Sequence, residues 1–222
     1  MNVGILAFLM DCVIGDPRSK FHPVVLIGKL IAGLETWLYC PEDSDKRKFW
    51  RGLFLMLLVL VICYGATAGI VYGVRRLGLP YLSWGVEALL LSFTISPRNL
   101  AEAGREIQRY LAAGDIEEAR FKVGWIVGRD TDKLTVPEIT RATVETIAEN
   151  IVDGVISPLF FFFLGGVPLA VAYRAANTMD SMIGYKNEKY LFLAGRRPAL
   201  TTPGTTSPLG LRGFCSFWRH GS

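Results

Sequence analysis

The acidic side chains between positions 128 and 153 are the first residues whose types and spacing could do chemistry. Residues 135–150 read TVPEITRATVETIAEN. Thr135 is an N-cap candidate, Pro137 falls in the first turn and Glu138 stands three residues after the cap, the arrangement of a capping box. At 100° per residue, Glu138, Arg141, Glu145, Glu149 and Asp153 share about a third of the helix circumference, with Ile139, Thr143, Val144, Ile147 and Ile151 on the other side. A solvated face accounts for part of this stripe. Four carboxylates and one arginine are nevertheless more acidic than solvation needs, and Glu145 and Glu149, one turn apart, repel by roughly 0.2–0.5 kcal/mol. A bound cation relieves that repulsion. Oxygen ligands without Cys or His suit Mg²⁺, which usually comes with phosphates.

Two more clusters flank the stripe. Gly128-Arg129-Asp130-Thr131-Asp132 offers a cation, two carboxylates and a hydroxyl within one turn. Arg174, Asn177, Thr178 and Ser181 share a helical face, with Asp180, Lys186, Asn187 and Lys189 close in sequence. They follow an uncharged apolar stretch directly, and ionisable groups beside such a stretch are costly unless paired or functional. Other chemistries are poorly supported. Gly28-Lys29 lacks the upstream Gly and the following Ser or Thr of a phosphate loop. Cys12, Cys40, Cys63 and Cys215 form no CxxC pair, and two histidines do not build a metal centre.

The elements that must hold these residues are strongly apolar. The chain has 222 residues, 51% of them hydrophobic and 20% charged, with a net charge of +4. No tract mixes cations with exposed aromatics, so nothing calls for nucleic acid. Residues 52–74 carry no charge and, as a helix, reach roughly 34 Å, enough to cross a bilayer. Lys46, Arg47, Lys48 and Arg51 precede this stretch and Arg75 and Arg76 follow it, which favours a cytoplasmic N-terminal side. Residues 81–96 are apolar but short and contain Glu87, while 155–173 are interrupted by Gly165, Gly166 and Pro168, which suits a kinked or re-entrant span as well as a plain one. Residues 1–14 read as a retained membrane helix, and 21–39 show helical spacing with Pro23 near the start. Two short helices joined at Gly114-Asp115 are expected in the polar region. The expectation is an all-α, polytopic integral membrane protein of one domain over 1–193, with spans at about 1–14, 52–74, 81–97 and 155–173. A polar helical cytoplasmic lobe over 98–153 completes it.

The run GRDTDKLTVPEITRATVETIAENIVDGVISPLFFFFLGGVPLAVAYRAANTMDSMIGYKNEKY, 128–190, closely resembles the adenosylcobinamide-phosphate synthase family of cobalamin biosynthesis. So does DCVIGDPRSKFHPVVLIGKLI, 11–31. The resemblance implies a multi-pass protein of the cell membrane that joins aminopropanol, or its phosphate, to a propionate carboxylate of adenosylcobyric acid at the expense of ATP. It also leaves room for contacts with other membrane enzymes of cobalamin assembly. Amide formation in water needs an activated acyl group, held with Mg²⁺ and phosphate and shielded from hydrolysis. On this reading Asp130, Asp132, Glu145, Glu149 and Asp153 supply the general base or, for the last three, Mg²⁺ ligands. Arg129, Arg141, Arg174 and Lys186 neutralise phosphate oxygens. Asn150, Asn177 and Asp180 contact substrate, and Asp16, Arg18 and His22 close the site.

Residues 194–222 depart from the family pattern, in which R-L-D-D-x-x-N-x-x-P-A-R is expected. Leu200 to Gly210 can be encoded so that the reading one nucleotide earlier gives Leu-Asp-Asp-Ala-Gly-Asn-Tyr-Leu-Pro-Ala-Arg. A frameshift near Ala194 and a non-native tail are therefore expected, which leaves Cys215, Trp218 and His220 without function and makes the activity of the truncated chain a separate question. Two rival classes share some features. A transporter would place charged residues inside its spans, whereas 52–74 has none. A Mg²⁺-dependent membrane phosphotransferase would follow Asp153-Gly154 with an Ala-Arg pair and a later Asp-x-x-x-Asp, whereas this chain continues VISP.

Overall fold

The computed structural model describes residues 3–15, 22–38, 40, 43–127 and 130–183. Eight α-helices follow in order: α1 (Val3–Ile14), α2 (Pro23–Leu38), α3 (Asp45–Arg76), α4 (Pro80–Ser92), α5 (Pro97–Ala113), α6 (Ile116–Ile126), α7 (Val136–Ile151) and α8 (Ser157–Ile183). A π-helical turn, Val152–Ile156, joins the last two. No strand occurs among the described residues, so the protein is all-α, as its patterning requires.

The axis of the molecule is α3. Leu55, Val59, Cys63, Thr67 and Val71, four residues apart, form one buried stripe along it. Phe54, Leu57, Val61, Tyr64 and Ile70 point outward from the remaining circumference. A water-soluble helix could not leave so much apolar surface uncovered; a membrane helix faces lipid this way. Trp50 lies beside the basic cluster at one end, and Tyr72, Tyr81 and Trp84 gather at the other, all exposed. These two aromatic belts are separated by about 33 Å along α3, close to the ~30 Å of a hydrocarbon core. The stretch expected at 52–74 is thus a span, within a longer helix. At its far end Arg75 Nε donates to buried Glu87 Oε1 at 2.7 Å, which pairs the carboxylate of the second apolar stretch with α3.

Two of the other expected spans are short helices among the described residues. The helices α1 and α4 have 12 and 13 residues. At 1.5 Å per residue they measure roughly 18 and 20 Å, too short to cross alone. Residues 93–97 lie beyond the end of α4. Ser92 and Thr94 turn their hydroxyls onto the Leu89 and Leu91 carbonyls there, and Ser96 precedes Pro97, which disfavours helical backbone at Ser96 and opens α5.

The stretch expected to cross at 155–173 does not run through as one rod. Gly165 (φ −148°, ψ 20°) and Gly166 (φ 72°, ψ −168°) break α8. Gly166 sits where a side chain is strained, and Pro168 starts the helix again. Contacts across the break show a hairpin. Asn177 reaches the Asp153 carbonyl, the Ser157 and Tyr173 hydroxyls are hydrogen-bonded, and the Phe161 and Tyr173 rings stack at 4.8 Å. Residue pairs whose numbers sum to about 330 face each other, so the limbs are antiparallel about 165. Two stretches, 46–76 and 136–182, are long and apolar enough to cross a membrane, and the second contains this hairpin.

The returning limb lies along α3. Val167 and Ala170 share a core cluster with Val71 and with Ala7, Ala88, Leu91 and Ile95 of α1 and α4 and the residues just after it. Ala175 and Met179 share another with Leu55, Val59 and Cys63 of α3 and Ile27 and Ile31 of α2. Small residues let these backbones approach closely, the usual source of cohesion between helices in lipid.

The lobe of α5, α6 and α7 closes on Ile107, Ala119, Val123, Ile139 and Ala142. As expected, its first two helices meet at Gly114-Asp115: Gly114 takes φ 77° to end α5, and the Asp115 carboxylate accepts the Glu118 N–H. The expected capping box is also present, with the Glu138 carboxylate accepting both the N–H and the hydroxyl of Thr135.

Candidate functional site

Helix α7 has three faces rather than two. Ile139, Ala142, Thr143, Thr146 and Asn150 are buried. Val144 and Ile151, expected opposite the acidic stripe, are exposed, Val144 by 61%. The reason is the narrow approach to α5, where Ile147 lies against Gly104 so closely that a Cβ there would stand 2.7 Å from it. That contact turns the Thr143–Asn150 line inward.

The acidic stripe divides along its length. Glu138 is occupied by the capping box, and Arg141 Nε donates to Glu145 Oε1 at 2.7 Å with both side chains largely in solvent. Glu149 is half-buried one turn before Asp153. Asp153 itself enters the π-turn and meets α8. There Asn177 Nδ2 donates to the Asp153 carbonyl at 3.3 Å, and the charges of Asp180 and Arg174 act on the Asp153 carboxylate. Arg174 is buried, and its guanidinium stands 4.0 Å from where a Cβ of Gly154 would be. The π-turn carbonyls are thereby held from outside, because Ser96 N–H donates to Gly154 O at 3.1 Å. Such turns are rare and recur at functional sites.

Three further connections converge on this point. Asp11, buried in α1, accepts the Arg98 N–H at 3.1 Å and so caps α5 from a different helix. Arg98 returns a hydrogen bond from its guanidinium to Val13 O at 2.7 Å. His22, also buried, accepts the Val24 N–H on Nδ1 and sets its ring edge-on to Phe93, 5.1 Å between centroids. That bond assigns the imidazole proton of a neutral His22 to Nε2. Ser92, Thr94 and Ser96 are buried in the same junction.

Asp153, Arg174, Asn177 and Asp180 are therefore brought together, with Asn150 one turn before Asp153. Asn150 is buried and donates to the Thr146 carbonyl of its own helix. His22 reaches the adjoining connector. Asp130 and Asp132 are not joined to this group. Both are exposed on the turn before α7, where Asp130 Oδ1 accepts the Asp132 N–H, and Thr131 between them fastens to the Arg120 carbonyl. The 16 residues of α7, about 24 Å, separate that turn from Asp153. Arg141 and Glu145 also stand apart, as a solvated pair. Asp16, Arg18, Arg129 and Lys186 lie outside the described residues, as does the tail beyond 183. Sequence reasoning missed Asp11, Ser96 and Arg98. A lone carboxylate in the apolar α1 and a Ser-Pro step between two apolar-to-polar transitions were the available signals.

Among the described residues, no three His, Cys, Asp or Glu side chains are grouped to hold a metal ion. The charge of Asp180 acts on Asp153, and one or two carboxylates are what Mg²⁺ commonly takes from a protein, with phosphate and water completing its shell. Residues 4–199 match the family described as CobD/Cbib protein. The chain belongs to that family. Similar proteins include "Cobalamin biosynthesis protein CbiB" of Salmonella typhimurium, 48% identical over 190 residues. "Cobalamin biosynthesis protein CobD" of Citrobacter koseri is also 48% identical over 190 residues, and its Klebsiella pneumoniae namesake 47% over 188. Each alignment covers 83% of this chain and 58% of the relative, so the chain spans little more than half the length of these relatives. No solved structure matches it.

Proposed function

We propose that this chain takes part in cobalamin biosynthesis as an acid–amine ligase of the cell membrane. The proposed reaction uses ATP to attach aminopropanol, or its O-phosphate, to a propionate of adenosylcobyric acid, giving adenosylcobinamide or its phosphate. The observation that carries the reading is the convergence of buried Arg174 and Asn177 with half-buried Asp153 and exposed Asp180 at one junction in a chain of this family. Activating a carboxylate as an acyl phosphate requires cationic groups for the phosphate, a base for the attacking ammonium, and exclusion of water. Arg174 would serve the first task and Asp153 the second, while the enclosing helices would serve the third. With Asp153 kept as the base, Asp180 would supply the carboxylate for Mg²⁺, which supplies charge neutralisation at phosphate oxygens when bound. Asn177, whose amide holds the π-turn, keeps its side-chain carbonyl for orienting the amine. Multi-pass insertion and association with other membrane enzymes of the pathway belong to the same proposal.

The test is genetic and chemical. A strain lacking this step is given the chain as it stands and a version with the frame corrected near Ala194, and cobalamin-dependent growth and amide product are measured. Product that depends on ATP and on aminopropanol or its phosphate supports the ligase. Uptake of corrinoid without new amide, or transfer of a nucleotidyl phosphate, would replace it with a transporter or a phosphotransferase.

A further inference from the structure

The depth of the polar junction can be read from the way the helices align with α3. Val167 and Ala170 pack in the cluster that holds Val71, and Ala175 and Met179 in the cluster that holds Leu55, Val59 and Cys63. Arg174 and Asn177 therefore lie alongside the middle of α3. At 1.5 Å per residue, the level of Cys63 is about 20 Å from Trp50 and about 14 Å from Tyr72. The hairpin pairing carries Asp153 and Gly154 to that same level, and the Gly154 carbonyl carries Ser96 there as well. Both aromatic belts are far away.

Short elements fill the half of the molecule between this level and the Tyr72 belt. They are α1, α4 and the α8 hairpin with the π-turn that leads into it, and they expose the apolar Val13, Leu82, Ile156, Phe160, Phe163 and Leu164. This surface continues the lipid-facing circumference of α3. We infer that α1, α4 and the hairpin tip form a collar embedded among acyl chains, and that the polar junction lies at mid-bilayer depth, open only towards the lobe. Non-helical backbone and charge are tolerated at that depth only when enclosed by protein or facing an aqueous pocket. Asp11, His22, Ser96 and Arg174 meet that condition by burial, exposed Asp180 and part-exposed Arg98 meet it only on the aqueous side of the pocket, and half-length helices end there as the broken helices of membrane transporters do. Substrates then arrive from the lobe side, and water from the opposite side is blocked by the collar. The inference rests on the junction described above and not on the reaction proposed for it.

The test needs no turnover. Cys12, Cys40, Cys63 and Cys215 are replaced by Ser or Ala, and a single cysteine at Ile156, Val13, Trp50 or Tyr72 carries an environment-sensitive fluorophore. Each protein is reconstituted into phosphatidylcholine vesicles with a nitroxide near the glycerol end or near the methyl end of the acyl chain. Labels at 156 and 13 are expected to be quenched roughly twofold or more better by the deep nitroxide, and those at 50 and 72 by the shallow one. Stronger shallow quenching at 156 and 13, or quenching there by aqueous iodide, overturns the inference by placing the junction at the surface. Protection from both lipid and iodide also overturns it, because protein then covers the collar. Two reporters on separate helices keep the result decisive if one variant fails to reconstitute.

Discussion

The two ends of α7 carry similar side chains and have different fates. At the N-terminal end Glu138, Arg141 and Glu145 stand in solvent and satisfy one another within the helix. At the C-terminal end Asn150 and Gly154 are buried and Asp153 is partly enclosed, with backbone held by Ser96 and Asn177. The same carboxylate chemistry is screened at one end and concentrated at the other. Coulomb energies grow several-fold as the effective dielectric falls, so only the enclosed end can develop strong electrostatic work on a substrate. Spacing along a helix thus indicates which residues share a face, while packing decides which part of that face matters.

Breaking the enclosed end should have the largest effects. Arg174→Leu removes the buried cation whose charge acts on the half-buried Asp153 carboxylate and should lower stability by about 1–3 kcal/mol, read as a drop in melting temperature in detergent. An unchanged melting point would mean that Arg174 is more hydrated than the structure shows. Asp153→Asn keeps the shape of the π-turn and should reduce amide formation on the order of 10²-fold, whereas Glu145→Gln should stay within roughly twofold. Equal losses in the two variants would erase the distinction between the ends.

Milder changes sharpen the comparison. Asp11→Ala removes the cap that α1 places on α5 and should cost about 1–2 kcal/mol, while Asp11→Asn, which still accepts the Arg98 N–H, should recover most of it. Thr135→Ala at the open end should cost about 1 kcal/mol through the capping box alone, with no effect on activity in folded protein. Glu145→Ala should change stability by less than about 0.5 kcal/mol, and added salt should erase even that, because the pair with Arg141 is exposed.

Much of this arrangement was legible in the residues. The uncharged stretch at 52–74, the Gly114-Asp115 break and the Thr135–Glu138 cap are local signals, and each names its own structure. The three Gly and Pro interruptions after Leu164 were equally plain as a break, but not as a reversal. Whether such a break bends or reverses the chain depends on contacts such as Phe161 on Tyr173, made 12 residues apart. The candidate site was legible only in part for the same reason. Asp130 and Asp132 share a motif with the rest and lie at the wrong end of a helix, whereas Asp11 and Ser96 looked incidental and stand at the junction.

Composition and periodicity by themselves determined that this protein is helical, that α3 crosses a lipid layer, and where most helices begin and end, because those properties follow from a residue's near neighbours and its preference for lipid or water. Only the tertiary structure decided that α8 folds back on itself, that α1 and α4 share one core with it, and that Asp153 rather than Glu145 meets Arg174. Those outcomes depend on which distant backbones can approach closely enough to share a buried carbonyl or charge, and no local pattern encodes that distance.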